Sequence, residues 1–324
     1  MKRSIKIFGY ALLAILLLVL MAVAYIYFDG IPKYKYDPPE TVRTLQVPRD
    51  SALVERGAKI ATLLCNECHR SDDGKLVGKQ MLDMPAELAP SYSLNITQDQ
   101  EHGIGNWTDG EIYYFLRTGI HKDGHWSPPF MPKFPLMADD DLYSIIAWLR
   151  SDDPALAPDT REFPPTKWNL LVKFLSHVAF TPPPLPEKAI SIPDTTNLIK
   201  YGRYVADGLC ACYACHSADF TKMDLLVPEN SAGFYGGGNP MLNLEGETVN
   251  SANITMDKET GIGNWTYEQF YEAVKYSKSP KGGPLYYPMF PHTTLSDVEI
   301  KGIWSYLQTV PPLKNKVDRY KPKD

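Results

Sequence analysis

Two stretches of the chain pair thiols with an imidazole at one spacing: Cys65-Asn66-Glu67-Cys68-His69 and Cys212-Tyr213-Ala214-Cys215-His216. Thiols three positions apart share one side of a helical turn. They can form thioethers to the two vinyl groups of a porphyrin while the adjacent histidine offers a ring nitrogen to the iron, which is the attachment pattern of c-type haem. Cys-x-x-Cys by itself also marks zinc and redox-thiol sites. Two copies, each followed by histidine and by matching surroundings, favour two covalently bound haem c groups. Cys65, Cys68, Cys212 and Cys215 are then the attachment points, and His69 and His216 the proximal iron ligands.

An iron with one histidine needs a second axial ligand, or an open position if it is to do chemistry. An internal repeat narrows the choice. Asn95-Ile96-Thr97 recurs as Asn253-Ile254-Thr255, and Gly103-Ile104-Gly105-Asn106-Trp107-Thr108 as Gly261-Ile262-Gly263-Asn264-Trp265-Thr266, both at an offset of 158 residues. The haem motifs are offset by 147, so the second copy holds 11 extra residues between His216 and Gly236, near the run Gly233–Gly238. An internal duplication accounts for this. At the 158-residue offset Met131 falls on Met289, whereas Met137 falls on Leu295, His121 on Ser279, His125 on Gly283, and His292 on Phe134. Both methionines sit in Pro-rich loops, whose stiffness would hold a thioether at fixed reach. Met131 and Met289 are therefore the expected distal ligands, the alternative being that they fill gaps in a core. His/Met ligation raises the potential and closes the site, which suits electron transfer.

Helices must place these groups. Before each motif runs a stripe, Leu53, Gly57, Ile60, Leu64 and then Leu198, Gly202, Val205, Leu209. A middle helix opens at Thr108-x-x-Glu111 and again at Thr266-x-x-Gln269, both capping boxes. Its inward residues are Ile112, Phe115 and Leu116, then Phe270, Ala273 and Val274. The last helix carries Leu142, Ile145, Ile146 and Leu149, matched by Ile300, Ile303, Trp304 and Leu307, and Ser296-x-x-Glu299 caps the second copy. No alternating strand pattern appears. The two pre-motif stripes are offset by 145, which sets Cys210 opposite Cys65. A longer Cys210-x4-Cys215-His216 attachment is thus an alternative, with Cys212 and Cys215 preferred and Cys210 a spare thiol.

The fold class predicted is all-α: two tandem, class I-like cytochrome c domains behind one N-terminal transmembrane helix. The boundaries are 1–30 for the anchor, 45–153 for the first domain, 154–194 for a Pro-rich linker, and 195–318 for the second domain. Ile7–Phe28 is an uncharged run of 22 residues, about 33 Å as a helix and enough to cross a bilayer core. Ala22-Val23-Ala24 resembles a signal-peptide cleavage site, but the run continues to Phe28, past the usual length of such a segment. A retained anchor is the expectation. Flanking charge does not set its direction, since Lys2, Arg3 and Lys6 face Lys33, Lys35 and Arg43. In the linker, Trp168–Phe180 is apolar and too short to span a membrane. It could pack between the lobes, rest on the membrane or dock a partner, and packing between the lobes is expected.

A net charge of −5 gives nothing for nucleic acid to bind. Five cysteines, four of them claimed by haem, cannot make a disulfide framework. Gly236-Gly237-Gly238 lacks the strand-to-helix context of a nucleotide fingerprint.

With the two motifs, the paired NIT and GIGNWT segments and the two methionine loops, residues 50–312 resemble the multi-haem cytochrome c subunits of membrane-bound alcohol and gluconate dehydrogenases, including the apolar linker Trp168–Phe180. The resemblance implies an electron carrier with no catalytic residues of its own. It would take electrons from a periplasmic dehydrogenase or other donor and pass them to a respiratory acceptor: quinone, an oxidase or a soluble cytochrome. The haem domains would stand in the periplasm, tethered by a single pass to the bacterial inner membrane. Those subunits typically carry three haems, whereas this chain has two motifs and an N-terminal anchor, which puts quinone reduction in doubt. A cytochrome c subunit of a haem–copper oxidase is a second reading, opposed by the NIT–GIGNW segments. A di-haem peroxidase or thiosulfate-oxidising cytochrome is a third. His121 and His125, present only in the first copy, favour it, and the matched methionines oppose it.

Overall fold

A computed structural model of the chain describes residues 2–85 and 90–319. Its regular elements are helical apart from one small hairpin. In chain order the helices are α1 (Lys2–Asp29), α2 (Glu40–Arg43), α3 (Ser51–Leu64), α4 (Asn66–His69), α5 (Asp109–Thr118), α6 (Asp139–Leu149), α7 (Leu170–Val178), α8 (Leu198–Arg203), α9 (Cys212–His216), α10 (Tyr267–Tyr276) and α11 (Asp297–Leu307). α1 carries the apolar run, and among the described residues it is the one helix long and apolar enough to cross a membrane; none of that stretch is buried. Gly30 ends it with a left-handed φ of +82° and an N–H on the Ile26 carbonyl at 3.1 Å, the usual helix stop.

Residues 51–149 and 198–307, the first and second halves, are each organised around one helix crossing. α3 packs on α6 in the first half, and α8 packs on α11 in the second. The crossings are tight because a glycine sits at each. A Cβ on Gly57 would stand 1.9 Å from the Ser144 carbonyl oxygen, and one on Gly202 would stand 1.8 Å from that of Gly302. Ile60, Leu142, Ile145 and Ile146 fill the first junction, and Val205, Ile300, Ile303 and Leu307 the second. All three capping boxes form, at α5, α10 and α11, with both reciprocal bonds in each. The buried residues form one continuous core across both halves.

The second pre-motif helix departs from its counterpart. The stripe is offset by 145 residues and the motif by 147, so two residues must be absorbed between them. α8 takes up one by widening into a π-helical turn, Tyr204–Leu209. There the Cys210 N–H bonds five residues back to Val205, whereas the Cys65 N–H bonds four back to Ala61. Ala211 takes up the other in a left-handed conformation, φ +48°. Widened turns of this kind occur where a helix must accommodate an extra residue without breaking.

Two expectations are corrected. The hairpin β1 (Pro240–Leu242) and β2 (Thr248–Asn250) pairs antiparallel with Met241 opposite Val249; strands of three residues are too short to show alternation. The linker helix α7 does not lie between the halves. It packs on the last turn of α1, where Lys173 donates to the Tyr27 carbonyl at 2.8 Å and His177 Nε2 meets Asp29 at 3.0 Å.

Between the halves lies a cluster of six polar side chains, two of them buried acids, with approximate two-fold repetition. Asp141 and Glu299 occupy equivalent positions on α6 and α11, and each is almost wholly buried. Each takes one partner from its own half and one from the other. Asp141 accepts from Arg56 and from Tyr204, while Glu299 accepts from Lys59 and lies beside the Tyr201 phenol, whose hydroxyl burial and this carboxylate both push up. Burial alone would raise the Glu299 carboxyl, but the Lys59 ammonium and the Ser296 cap outweigh it and hold it below the ordinary value. A second cross-link joins Tyr287 to Asp83 at 2.8 Å.

Gly202→Ala is expected to destabilise the second half by about 3 kcal/mol or more, the range for overpacking against fixed backbone, read as a lowered denaturant midpoint. Lys59→Met should leave Glu299 buried without its cation and lose about 3 kcal/mol, whereas Lys59→Met combined with Glu299→Leu should recover much of that loss.

Candidate haem sites in the two halves

α4 and α9 are the motifs themselves, each wound into a single turn. In the first, the Cys68 and His69 N–H groups both reach the Cys65 carbonyl, at 3.2 and 2.8 Å. His69 is buried, and its Nδ1 lies 2.7 Å from the Leu94 carbonyl oxygen. His216 is half-buried, with Nδ1 2.8 Å from the carbonyl of Ala252. A carbonyl can only accept, so each Nδ1 carries the proton and each Nε2 keeps its lone pair. Burial pushes the His69 imidazole down and that of His216 down to about 4, so both rings are neutral at neutral pH. A neutral imidazole with one nitrogen tied to a carbonyl is the form that ligates a metal.

Leu94 and Ala252 are the residues immediately before the two NIT triplets, which explains why the triplets recur. Asn95 and Asn253 each accept the N–H two residues on, both at 2.9 Å, closing a turn. Their side-chain amides donate to distant carbonyls, Asn95 to Asp159 and Arg161, and Asn253 to Leu313. The turn is thereby fixed to the body, and the carbonyl before it is aimed at the ring. A glycine closes the other side: the N–H groups of Gly78 and Gly237 bond the His69 and His216 carbonyls at 2.9 and 2.7 Å, with φ of +88° and +69°. Sequence reading missed these supports. The Leu94–Ala252 pair lies at the same 158-residue offset and could have been found by asking what the repeat holds fixed.

The methionine loops are also built alike. α5 and α10 end in left-handed residues, Gly119 and Ser277. Bridges Ile120–Trp126 and Lys278–Pro284 follow, and the Phe134 and His292 N–H groups return to Leu116 and Val274, both at 2.9 Å. Met131 and Met289 fall at matching places in these loops, both half-buried. Their carbonyls are fastened differently, Met131 by the buried Lys133 ammonium and Met289 by the Ser277 hydroxyl, each at 2.7 Å. Arg117, wholly buried, ties the end of the first loop through Phe134 and Met137; Lys275, at the same offset, ties the second through Leu295. Of the two histidines peculiar to the first copy, His121 packs against Phe115 and Trp107 and His125 is exposed on Asp123.

The halves differ in one buried cluster. Asp207 accepts from the Tyr235 and Tyr306 hydroxyls at 2.5 and 2.7 Å. Leu76 and Trp148 hold the corresponding places in the first half. Cys210 lies beside Cys212, close enough for a thiol hydrogen bond, and Cys212 and Cys215 share α9 with His216. None of the five cysteines is paired in a disulfide. Among the described residues no three His, Cys, Asp or Glu side chains converge to hold a bare metal ion, so the zinc reading of Cys-x-x-Cys lacks its ligand set. The pair of cysteines on one turn, the neutral histidine and its oriented Nε2 do fit haem c.

Residues 54–152 match the cytochrome c family model. Over most of its length the chain is similar to cytochrome c subunits of dehydrogenases. The cytochrome c subunit of the quinone alcohol dehydrogenase of Gluconacetobacter polyoxogenes is 28% identical over 277 residues, which cover 82% of this chain and 57% of the relative. The fructose dehydrogenase cytochrome subunit of Gluconobacter japonicus is 28% identical over 80% of this chain and 52% of its own length. The chain thus spans little more than half of these relatives. A diheme cytochrome c-type protein of Cereibacter sphaeroides, 25% identical, is covered over 83% of its length and 77% of this chain.

Burial raises the Asp207 carboxyl to about 6, and the two tyrosine hydroxyls only partly offset it. The folded state therefore binds this proton more tightly than the unfolded chain does. Its stabilising contribution is complete at low pH and is lost as pH rises through about 6. In Asp207→Asn the fall in stability between about pH 4 and 6 should flatten, as read by denaturant unfolding across that window.

Proposed function

We propose that the chain is a membrane-anchored di-haem c-type cytochrome that relays single electrons from a periplasmic dehydrogenase, or another donor, to a respiratory acceptor. Two tandem cytochrome c domains, residues 45–153 and 195–318, would each hold one haem. The observation that carries this reading is the repeated histidine clamp. Two Cys-x-x-Cys-His turns each have Nδ1 held by the carbonyl before an NIT turn, and the flanking glycine, capping box and methionine loop recur with them. The similarity to a diheme cytochrome c-type protein over most of that protein's length supports the count of two.

Haem c, when bound, supplies a one-electron couple. The chain's residues do the rest. Cys65 and Cys68, and Cys212 and Cys215, provide the covalent attachment. His69 and His216 offer Nε2, and the Leu94 and Ala252 carbonyls keep each ring in one tautomer and raise its basicity. Met131 and Met289 would offer their thioether sulfurs to the irons, and Lys133, Ser277, Arg117 and Lys275 hold their loops in place. No residue acts on a substrate, and the donor's identity belongs to the docking partner. α1 is the retained tether, with the body in the periplasm of the bacterial inner membrane.

Intact mass and a pyridine haemochrome assay should find two covalent haems per chain. Ferrous protein should not bind carbon monoxide, whereas Met131→Ala and Met289→Ala should each open one site to it. A single haem, or carbon monoxide binding by the unaltered protein, overturns the reading.

A further inference from the structure

α7 turns its apolar side outward. Leu170, Leu171, Phe174 and Val178 share one face of the helix and are 40%, 51%, 46% and 60% exposed, while Val172 and Ser176 on the opposite face are buried. A helix on an aqueous surface shows the reverse arrangement. Its position supplies the reason. Lys173 and His177 flank the apolar face and grip the last turn of α1: the ammonium lies 4.7 Å from the centre of the Tyr27 ring and bonds the Tyr27 carbonyl, and His177 reaches Asp29 and meets the Tyr25 ring. α1 has no basic residue in its last turn, so Lys173 of α7 supplies the cation that its carbonyl end favours. The contact sets α7 level with Tyr25 and Tyr27, the depth at which aromatic rings settle at a membrane surface.

The first half hangs from the same two helices. Trp168, just before α7, stacks on Phe130 beside Met131, with ring centres 4.9 Å apart. Tyr34, just after α1, donates its N–H to the Gly124 carbonyl at 2.9 Å and packs on Trp126. Both membrane-proximal segments therefore end on the loop 119–131.

We propose that α7 is a second membrane contact, an in-plane helix seated at the boundary between headgroups and acyl chains, and that with α1 it holds the first half's methionine loop toward the bilayer. This rests on the reading of α1 as a membrane anchor. The occupant of the exposed face is lipid, because the face continues the apolar surface of the anchor at its interfacial end and presents no charge to a protein partner. Lying in this way, an outward apolar stripe flanked by Lys and His matches an interfacial helix.

The test places benzoylphenylalanine singly at Leu16, Leu171, Phe174 and Val178 of the full haem-loaded chain in vesicles of phosphatidylethanolamine and phosphatidylglycerol. Irradiation should yield adducts of lipid mass at all four positions. A Leu171→Ser/Phe174→Ser background that retains both haems should lose the adduct from position 178 and keep the one from position 16. Lipid adducts at position 16 alone, or adducts from 171, 174 and 178 to a second copy or another protein in native membranes, overturn the proposal. Absence of lipid adducts at position 16 would instead defeat the anchor reading on which it rests.

Discussion

An imidazole is oriented to serve a metal when its other nitrogen is committed elsewhere, and the architecture of each half meets that demand. The carbonyls of Leu94 and Ala252 hold Nδ1 of His69 and His216 at 2.7 and 2.8 Å. A carbonyl so aimed needs a fixed turn behind it, which the asparagine side chains supply by bonding both their own turn and a distant strand of backbone. It also needs a close approach on the motif side, where Gly78 and Gly237 leave no Cβ between the chain and the turn: a Cβ at Gly78 would stand 2.2 Å from the Ser93 carbonyl, and one at Gly237 2.4 Å from Ala252. The helix crossings at Gly57 and Gly202 then set where each motif begins. One hydrogen bond per half thus ties together turn, strap and crossing.

The two halves reach this arrangement with different chemistry around it. At their junction the first half contributes the cations Arg56 and Lys59, and the second contributes the phenols Tyr201 and Tyr204, around a matched pair of buried acids. The cluster is electrically balanced, with two cations against two carboxylates, so neither acid is left as an uncompensated charge. Beside the second motif, Asp207, Tyr235 and Tyr306 replace the first half's apolar packing. The two candidate sites therefore share a clamp but differ in surroundings, and surroundings of this kind tune a cofactor's potential. The alcohol and fructose dehydrogenase subunits that the chain resembles are much longer, and the similarity spans little more than half of each.

Much of the candidate site was legible because it is local or repeated. Cys65 to His69 and Cys212 to His216 are contiguous, the capping boxes are four residues long, and Met131 and Met289 emerge from a constant offset. The supports were not legible, because they are carbonyls and side chains brought in from afar. No side-chain chemistry points to Leu94, an apolar residue that acts through its backbone and that only the 158-residue repeat singles out, or to Lys133 and Ser277, which fasten equivalent carbonyls with unrelated side chains. The linker was misplaced for a related reason. The apolar run Trp168–Phe180 read as a segment to be packed between the lobes, yet the partner of α7 is the end of α1, more than 140 residues earlier.

By itself the amino-acid order determined the motifs, the repeat, the caps and the apolar run, since each depends on neighbours within a few turns or on a copy of itself. Tertiary structure alone decided how two surplus residues before the second motif are absorbed, by a π-helical turn and a left-handed Ala211. It also decided which acids meet which cations across the halves, and which face of α7 remains open. These outcomes depend on the relative placement of helices, set by close backbone approach at two glycines and by burial of charge; the glycines stand in the pre-motif stripes, but which backbone each meets is not written there.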